Sequence, residues 1–300
     1  MPAKAQLWNR ETAVAVVTPY TQNVVKYFDA KTQAILRRYG PGPRVHYHTG
    51  FIDDPPPPIA SAEILRARLV AAQERTLCHA AKTWDASSAL SGDVLDIGCG
   101  LGGGAIFWAQ EFGAHVTAVT CVPSHVDWVT RFASEAGVEG RVRPLLCDAV
   151  EVPGEKRFDA AVAVDSSGYL PRERLFRRLS TLLRPSGQVF IIDCFLERPD
   201  KDNRETFNRH WHTRIGTINE YLAAARAAGL TLRSVENISR RTIHFWTTTL
   251  ALIHAEAQEN EPNPAEWVRQ QASLRAHALV QNGLADGGFC YAMMSFSNDP

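Results

Sequence analysis

Residues Val94 to Trp108 read V-L-D-I-G-C-G-L-G-G-G-A-I-F-W. Val94-Leu95-Asp96-Ile97 is an apolar run with β-branched character, the composition of a buried parallel strand. Glycines 98, 100, 102, 103 and 104 follow at once, and Ala105-Ile106-Phe107-Trp108-Ala109 can continue as a helix. Strand, glycine turn and helix in that order bring a backbone close to a ligand, because glycine has no Cβ to obstruct the approach. The turn also aims the free amides of a helix N-terminus at whatever binds there. A nucleotide-type ligand is expected.

Two residues decide which nucleotide. Gly98, Gly100 and Gly103 satisfy the dinucleotide pattern G-x-G-x-x-G, which is a weak signal by itself. That reading wants an acidic residue for the ribose about 20 residues on, at the end of the next strand. His115-Val116-Thr117-Ala118-Val119-Thr120 places Thr120 there instead. Asp96, two residues before the first glycine, can hold the charged head group of an amino acid. The pattern D-x-G-x-G-x-G over Asp96–Gly102 is similar to the first motif of class I S-adenosylmethionine (SAM) dependent methyltransferases.

The chain has 300 residues, 45% hydrophobic and 21% charged, the balance of an ordinary globular protein and long enough for one α/β core with an added cap. Lys+Arg and Asp+Glu are 32 each, so no global field recruits nucleic acid or an anionic membrane. No apolar run reaches bilayer length, and Met1–Arg10 has no signal core. Cysteines 78, 99, 121, 147, 194 and 290 are scattered without CxxC pairing, which fits a reducing cytoplasm.

Around the central stretch the spacing predicts a doubly wound α/β sheet of seven strands with an N-terminal helical cap. Residues 1–39 read as helices, with Trp8, Val14, Val17, Val24, Val25, Tyr27, Phe28, Ile35 and Leu36 at helical spacing. Gly40-Pro41-Gly42-Pro43 ends them, and a long helix over 60–82 leads into the core. The domain division is therefore a cap over 1–82 and a core over 83–300, with helical insertions near 197–228 and 244–283. Strands are expected at 93–97, 115–120, 142–147, 159–164 and 187–194, with helices near 103–112, 124–136 and 172–183. Residues 183–187 read as a turn into the fifth strand, residues 200–229 as helical, and 230–238 as the sixth strand. Helices over 244–256 and 264–282 and a final strand over 287–296 complete the pattern.

The chain resembles small-molecule C-methyltransferases of the geranyl diphosphate C-methyltransferase group, which are similar to sterol and cyclopropane-fatty-acid enzymes. The resemblance runs from Tyr27 to the C-terminus. It rests on Tyr27-Phe28-Asp29, His46-Tyr47-His48-Thr49-Gly50, the Asp96–Gly104 loop, Val116–Thr120, Asp165-Ser166-Ser167-Gly168-Tyr169, Glu220–Ala225 and Phe245-Trp246.

By that resemblance Gly98, Gly100 and Gly102 line the methionine part of SAM with Asp96 behind them, and Thr120 meets the ribose. Relatives often continue with Ser and Gln where this chain has Val122 and His125; His125 can still donate a hydrogen bond. Asp148 fits the carboxylate that accepts from the adenine amine, and Ala149 offers an amide. Tyr27, Cys121 and Val164 complete the cofactor set, with S-adenosylhomocysteine as product.

Asp165 ends the fourth strand, the edge over which α/β sheets place their ligands, and the resemblance puts an acidic residue near the reacting centre. The sulfonium methyl is already activated, so alignment is the main task, worth about 7–11 kcal/mol. An alkene nucleophile adds a carbocation, which aromatic faces stabilise by about 0.5–2 kcal/mol each before a carboxylate or histidine removes a proton. Asp165, His46 and Tyr169 are the catalytic candidates. Tyr20, Phe28, Tyr47, Phe195, Phe207, Trp211, Phe245 and Trp246 are the candidate walls of a hydrophobic substrate pocket, although any one of them can equally serve to pack the cap.

His46 and His48 alternate without a third ligand, so no metal site is expected. Arg240-Arg241 can hold a diphosphate but reads more readily as a solvated pair, and no acidic cluster suits Mg²⁺. An uncharged prenylated molecule is favoured. The leading expectation is SAM-dependent C-methylation of an isoprenoid alkene, with cyclisation through the cation. O- or N-methyl transfer, an NAD-dependent oxidoreductase and a non-catalytic SAM-binding protein are the alternatives. The partners expected are a small hydrophobic substrate and a second copy of the chain, with the leading arm exchanged between subunits, and neither nucleic acid nor membrane.

Overall fold

Along β1 (Asp93–Ile97) the side chains alternate between two buried faces. Val94 joins one apolar cluster, and Leu95 and Ile97 join the other, so Asp96 shares the face of Val94. That parity governs the whole molecule. The computed structural model describes residues 18–259 and 264–299; the helix expected over residues 1–17, with Trp8, Val14 and Val17, lies outside the described residues.

In chain order the elements are α1 (Pro19–Tyr39), α2 (Ala62–Thr83), α3 (Ser87–Leu90), β1, α4 (Gly103–Phe112), β2 (His115–Thr120), α5 (Pro123–Glu135), β3 (Val142–Leu146), β4 (Phe158–Val164), α6 (Arg172–Leu182), β5 (Leu183–Leu196), α7 (Lys201–Trp211), α8 (Ile218–Ala227), β6 (Thr231–Asn237), α9 (Ser239–Glu259), α10 (Pro264–Asp286) and β7 (Phe289–Ser297). The seven strands form one sheet ordered β3-β2-β1-β4-β5-β7-β6. The first five are parallel; β7 runs antiparallel between β5 and β6. The order reverses between β1 and β4, and a crevice opens there at the carboxyl ends of the strands.

Two expected elements are corrected. Residues 200–229 are not one helix: His212 takes a left-handed φ of 57° at the end of α7. A capping box between Thr217 and Glu220 then starts α8. The signal was readable as T-x-x-E, whose hydroxyl and carboxylate satisfy backbone amides that have no partner inside a helix. The turn over 183–187 lies within β5, not before it. Leu183 pairs with Phe158 and Gln188 with Ala160, so Arg184–Gly187 bulges out between two paired stretches.

Residues 19–83 pack onto one face of this sheet. Ile35, Tyr39, Val45, Phe51, Leu65 and Leu69 share a single buried cluster with Val94, Ala160, Val162 and Phe190. α1 starts where the Thr18 side chain accepts from the Thr21 amide at 3.1 Å, with Pro19 at the first helical position. The segment between α1 and α2 lies on α2: the Gln73 amide donates to the carbonyls of His48 (2.8 Å) and His46 (3.4 Å), and the Phe51 amide to Ala72 (3.1 Å).

The same segment presses on the glycine loop. A Cβ at Gly103 would stand 2.4 Å from the Val45 carbonyl oxygen. Gly103→Ala is therefore expected to cost about 1–3 kcal/mol of overpacking. That should lower the melting temperature by several degrees, whereas Gly140→Ala, where a Cβ meets nothing within 4 Å, should not. Equal melting of the two variants by scanning calorimetry would contradict this packing.

Candidate active site

One continuous cavity runs from the glycine loop to the aromatic residues of α7 and α9. Its first half is built on the ends of β1, β2 and β3. Asp96, Gly98, Gly100, Gly103 and Gly104 line it, followed by Thr120, Cys121, His125, Asp148 and Ala149. Gly98 has φ +68°, and a Cβ there would lie 2.7 Å from Cβ of Ser166, whose hydroxyl donates to the Ile97 carbonyl at 2.5 Å. Only glycine admits that crossing between the β1 and β4 ends.

Gly102 does not line the cavity. It caps α4 with φ +90° and faces Val129 of α5, so it serves the turn. Gly103 and Gly104 take the lining position expected of it.

Asp96 is buried, and its Oδ2 has no partner. Burial pushes this carboxyl up to about 7, opposed by the Ala105 amide. A lone buried carboxylate oxygen facing a cavity is the group that an ammonium would satisfy. Such pairing stabilises the ionised form, so binding an amino-acid head group must release the proton held below pH 7. The affinity for S-adenosylhomocysteine is therefore expected to fall as pH drops through 7, approaching about tenfold per unit. Calorimetry in two buffers of different ionisation enthalpy would detect the released proton; identical heats at pH 6 would exclude it.

His125 donates to another part of the protein. The Thr32 hydroxyl donates to the Phe28 carbonyl (2.9 Å), so at 3.1 Å it accepts from His125 Nε2–H. The remaining Nδ1 is a buried acceptor without a partner, and burial pulls the ring down to about 4, so it stays neutral. Asp148 Oδ1 accepts from the Val150 amide at 3.2 Å and Oδ2 from the Thr21 hydroxyl of α1 at 3.4 Å. The Thr120 hydroxyl accepts from the Val122 amide at 3.1 Å.

Asp165 stands past β4 with a left-handed φ of 48°, between the two halves of the cavity. Its Oδ2 accepts from the Thr49 amide at 2.7 Å, and its Oδ1 from the Tyr291 hydroxyl. Burial, with the nearby Asp193 carboxylate adding to it, pushes Asp165 up to about 7; the Tyr291 and Thr49 donors oppose that rise. Asp193 is held by the Ser167 hydroxyl (2.5 Å) and the amides of Gly168 (3.0 Å) and Cys194 (2.8 Å). Tyr291 was not foreseen. It follows from parity: on β7, Phe289, Tyr291 and Met293 belong to the Val94 face, and Tyr291 pairs with Cys194 of β5.

Val164, Phe28, Tyr47 and Tyr169 line the cavity around Asp165, with the Phe28 ring 5.3 Å from Tyr169 and 6.3 Å from Tyr47. Phe207, Trp211, Phe245 and Trp246 line its far part, whereas Tyr20 lines it next to Thr21, which donates to Asp148.

Two expected site residues are placed elsewhere, and a third, His46, has a partner outside the reacting centre. Phe195 is fully buried on the opposite face, 4.9 Å from the Tyr221 ring, because it is one residue out of phase with the cavity-lining Cys194. Tyr27 is not among the lining residues; its hydroxyl accepts from Lys31 at 2.6 Å and its ring is tilted against His212 at 4.7 Å. His46 lines the cavity at the glycine loop, and its Nε2 lies 3.6 Å from Glu74. Arg241 lies over the Phe51 ring at 4.1 Å and bonds to His79 at 3.2 Å. Among the described residues no group of three His, Cys, Asp or Glu is placed to hold a metal ion, and no helix is long and apolar enough to cross a membrane.

The sheet order, the glycine turn and an acidic residue ending β1 define a Rossmann-like methyltransferase. Comparison with known proteins agrees. Residues 94–187 match the methyltransferase domain family. The geranyl diphosphate 2-C-methyltransferase of Streptomyces lasalocidi is 28% identical over 82% of this chain and 85% of its own length. The 27-O-demethylrifamycin SV methyltransferase of Amycolatopsis mediterranei is 31% identical over 56% of this chain and 68% of its own. The structure of geranyl diphosphate C-methyltransferase from Streptomyces coelicolor, in complex with Mg²⁺, geranyl-S-thiolodiphosphate and S-adenosyl-L-homocysteine, superposes with a TM-score of 0.80. It covers 95% of this chain and 99% of that one at 20% identity.

The chain belongs to the methyltransferase family and is an enzyme whose methyl donor is S-adenosyl-L-methionine. The dinucleotide and non-catalytic alternatives are thereby set aside. The unpartnered Asp96 oxygen and the glycine-lined crevice fit that donor.

Proposed function

We propose that this enzyme methylates an alkene carbon of an isoprenoid chain on an uncharged, prenylated natural product such as a prenylated indole. The observation that carries the reading is Asp165. It is a buried carboxyl poised near neutrality, at the junction of the glycine-lined and aromatic halves of one cavity. The bound cofactor supplies an electrophilic methyl group. Asp96 orients its amino-acid end, and Asp148 its adenine end.

Attack by the alkene carbon forms the new C–C bond as the methyl–sulfur bond breaks, and leaves positive charge on the adjacent substrate carbon. Phe28, Tyr47 and Tyr169 surround that charge with aromatic faces and exclude water. The Asp165 carboxylate then accepts the proton that restores a double bond, directly or after the cation has closed a ring. Tyr291 and Thr49 hold the carboxylate in place. An uncharged substrate is favoured because Phe207, Trp211, Phe245 and Trp246 wall the end of the cavity on α7 and α9, Arg214 lies over the Tyr20 ring, Arg174 is paired with Glu151, and Arg241 is engaged elsewhere.

Incubation with S-adenosylmethionine carrying a ¹³C methyl and a panel of prenylated indoles and prenyl diphosphates tests this. A labelled methyl at the chemical shift of a carbon-bound methyl, with long-range correlations to the prenyl protons, supports it; a label attached to oxygen or nitrogen overturns it. O-methyl transfer is the second reading, favoured by the O-methylating relative's name and by a carboxylate able to take a hydroxyl proton. A cytoplasmic homo-oligomer with an exchanged N-terminal arm also belongs to the proposal, and a monomeric mass by light scattering would remove it.

A further inference from the structure

At the glycine loop Asp96 is not alone in being buried without a partner. The His46 side chain is 1% exposed and lines the cavity, and neither of its ring nitrogens makes a hydrogen bond among the described residues. Its Nδ1 faces the loop, since a Cβ on Gly103 would stand 2.9 Å from it. The unpartnered Asp96 Oδ2 lies beside the next glycine, 3.5 Å from where a Cβ on Gly104 would be. Two unpaired polar atoms therefore flank consecutive glycines at the start of α4.

α2 fixes the ring from behind. Gln73 holds the His46 and His48 carbonyls, so the segment cannot swing away from the loop. Glu74, the next residue on α2, has its Oε1 3.6 Å from His46 Nε2. That is too long for a hydrogen bond, but a carboxylate there favours the tautomer with the proton on Nε2. Arg44 keeps Glu74 in place: its Nη1 donates to Glu74 Oε1 at 3.3 Å and its Nε to Gln110 of α4 at 2.7 Å. His46 Nδ1 is left with a lone pair, buried and directed at the glycine loop. A buried acceptor without a donor has lost the hydrogen bond it made in water, and a ligand that brings a donor restores it.

We infer that His46 Nδ1 accepts a hydrogen bond from the ammonium group of the bound methyl donor, alongside the Asp96 carboxylate. An ammonium carries three N–H donors, and one carboxylate oxygen does not satisfy them all. The carboxylate at the same end of the ligand has no hydrogen to give, so it gains nothing from that lone pair. His46 thus serves the methyl donor and not the proton removal that its residue type suggested. Its role rests on the placement of the amino-acid end beside Asp96 under the proposed function, and holds whichever substrate atom is methylated.

Calorimetric titration with three ligands tests this: S-adenosylhomocysteine, its deaminated analogue, which keeps the carboxylate, and its decarboxylated analogue, which keeps the amine. His46→Leu should weaken the two amine-bearing ligands about tenfold and leave the deaminated one within about twofold. His46→Asn, whose side-chain oxygen restores an acceptor near Nδ1, should recover most of the loss. Retained binding of the deaminated ligand shows that the variants are folded.

Three results overturn the inference: equal weakening of all three ligands, which marks a packing role, a loss confined to the two carboxylate-bearing ligands, or no loss at all. Asp96→Asn, titrated in parallel, tests the premise separately. An unchanged ratio of S-adenosylhomocysteine to deaminated affinity in that variant would move the amino-acid end away from Asp96, whatever His46→Leu shows. Should no His46 variant fold, ¹⁵N-histidine spectra of the wild type decide. The amine-bearing ligands should shift an unprotonated imidazole nitrogen that the deaminated ligand leaves in place, and identical spectra with all three would refute the contact.

Discussion

Asp165→Asn lowers kcat by about 10²–10⁴-fold, the range for loss of a positioned proton acceptor, while S-adenosylhomocysteine affinity stays within about twofold. The split is expected on the proposed reading, in which Asp165 serves the reacting end and Asp96 and Asp148, which line the glycine-loop half of the cavity, serve the amino-acid and adenine ends. In the wild type, burial and Asp193 hold the Asp165 carboxyl up at about 7. The proton-accepting form is thus present above that pH and lost as pH falls through it, so log kcat should decline with a slope approaching one on the acid side.

The asparagine variant should lose that limb. Tyr291→Phe should move it to higher pH, because the Tyr291 hydroxyl is a donor that favours the ionised carboxylate. A rate and pH profile unchanged by Asp165→Asn, in stopped-time methyl-transfer assays, would remove this residue from the chemistry.

The second large effect has two signs. Asp96→Asn should weaken S-adenosylhomocysteine by about 10- to 100-fold, the loss of a charge-assisted bond of about 1.5–3 kcal/mol. It should also make the ligand-free protein more heat-stable at pH 8. The sign follows from the carboxyl's raised value. With a folded pKa of about 7 against about 4 when unfolded, the stability that Asp96 contributes is fully present below pH 4 and lost as pH rises through 7. A neutral amide avoids the cost of a buried, unpaired charge, so the variant's advantage should shrink toward pH 4. Scanning calorimetry of the ligand-free proteins across that range checks both arms; equal melting at pH 8 would mean that Asp96 is already paired.

Much of this was legible because it is local. The β1–glycine–α4 turn, the parallel strands and the cap followed from period-two and period-3.6 patterns within short windows. Most of the cavity's lining could be named for the same reason: residues at the carboxyl ends of parallel strands converge whatever the loops do. Phe195 was misplaced by one residue, and in a strand one residue is the whole width of the sheet. Gly102 was misplaced because five glycines in seven positions do not reveal which face the ligand and which make the turn.

The rest needed contacts across long separations. Tyr291 meets Asp165 across 126 positions, through the antiparallel insertion of β7 beside β5. Thr32 sets the His125 tautomer across 93 positions. His46 meets Glu74 of α2 across 28 positions, on a segment held to that helix by Gln73.

The amino-acid sequence by itself determined that a strand, a glycine turn and a helix would cradle a SAM-type ligand on a doubly wound sheet, since spacing and residue type suffice for that. Only the tertiary structure decided which carboxyl is unpaired, which is shared, and which ring nitrogen keeps a lone pair. Those properties depend on desolvation and on partners brought from distant strands and helices, and no local pattern encodes either.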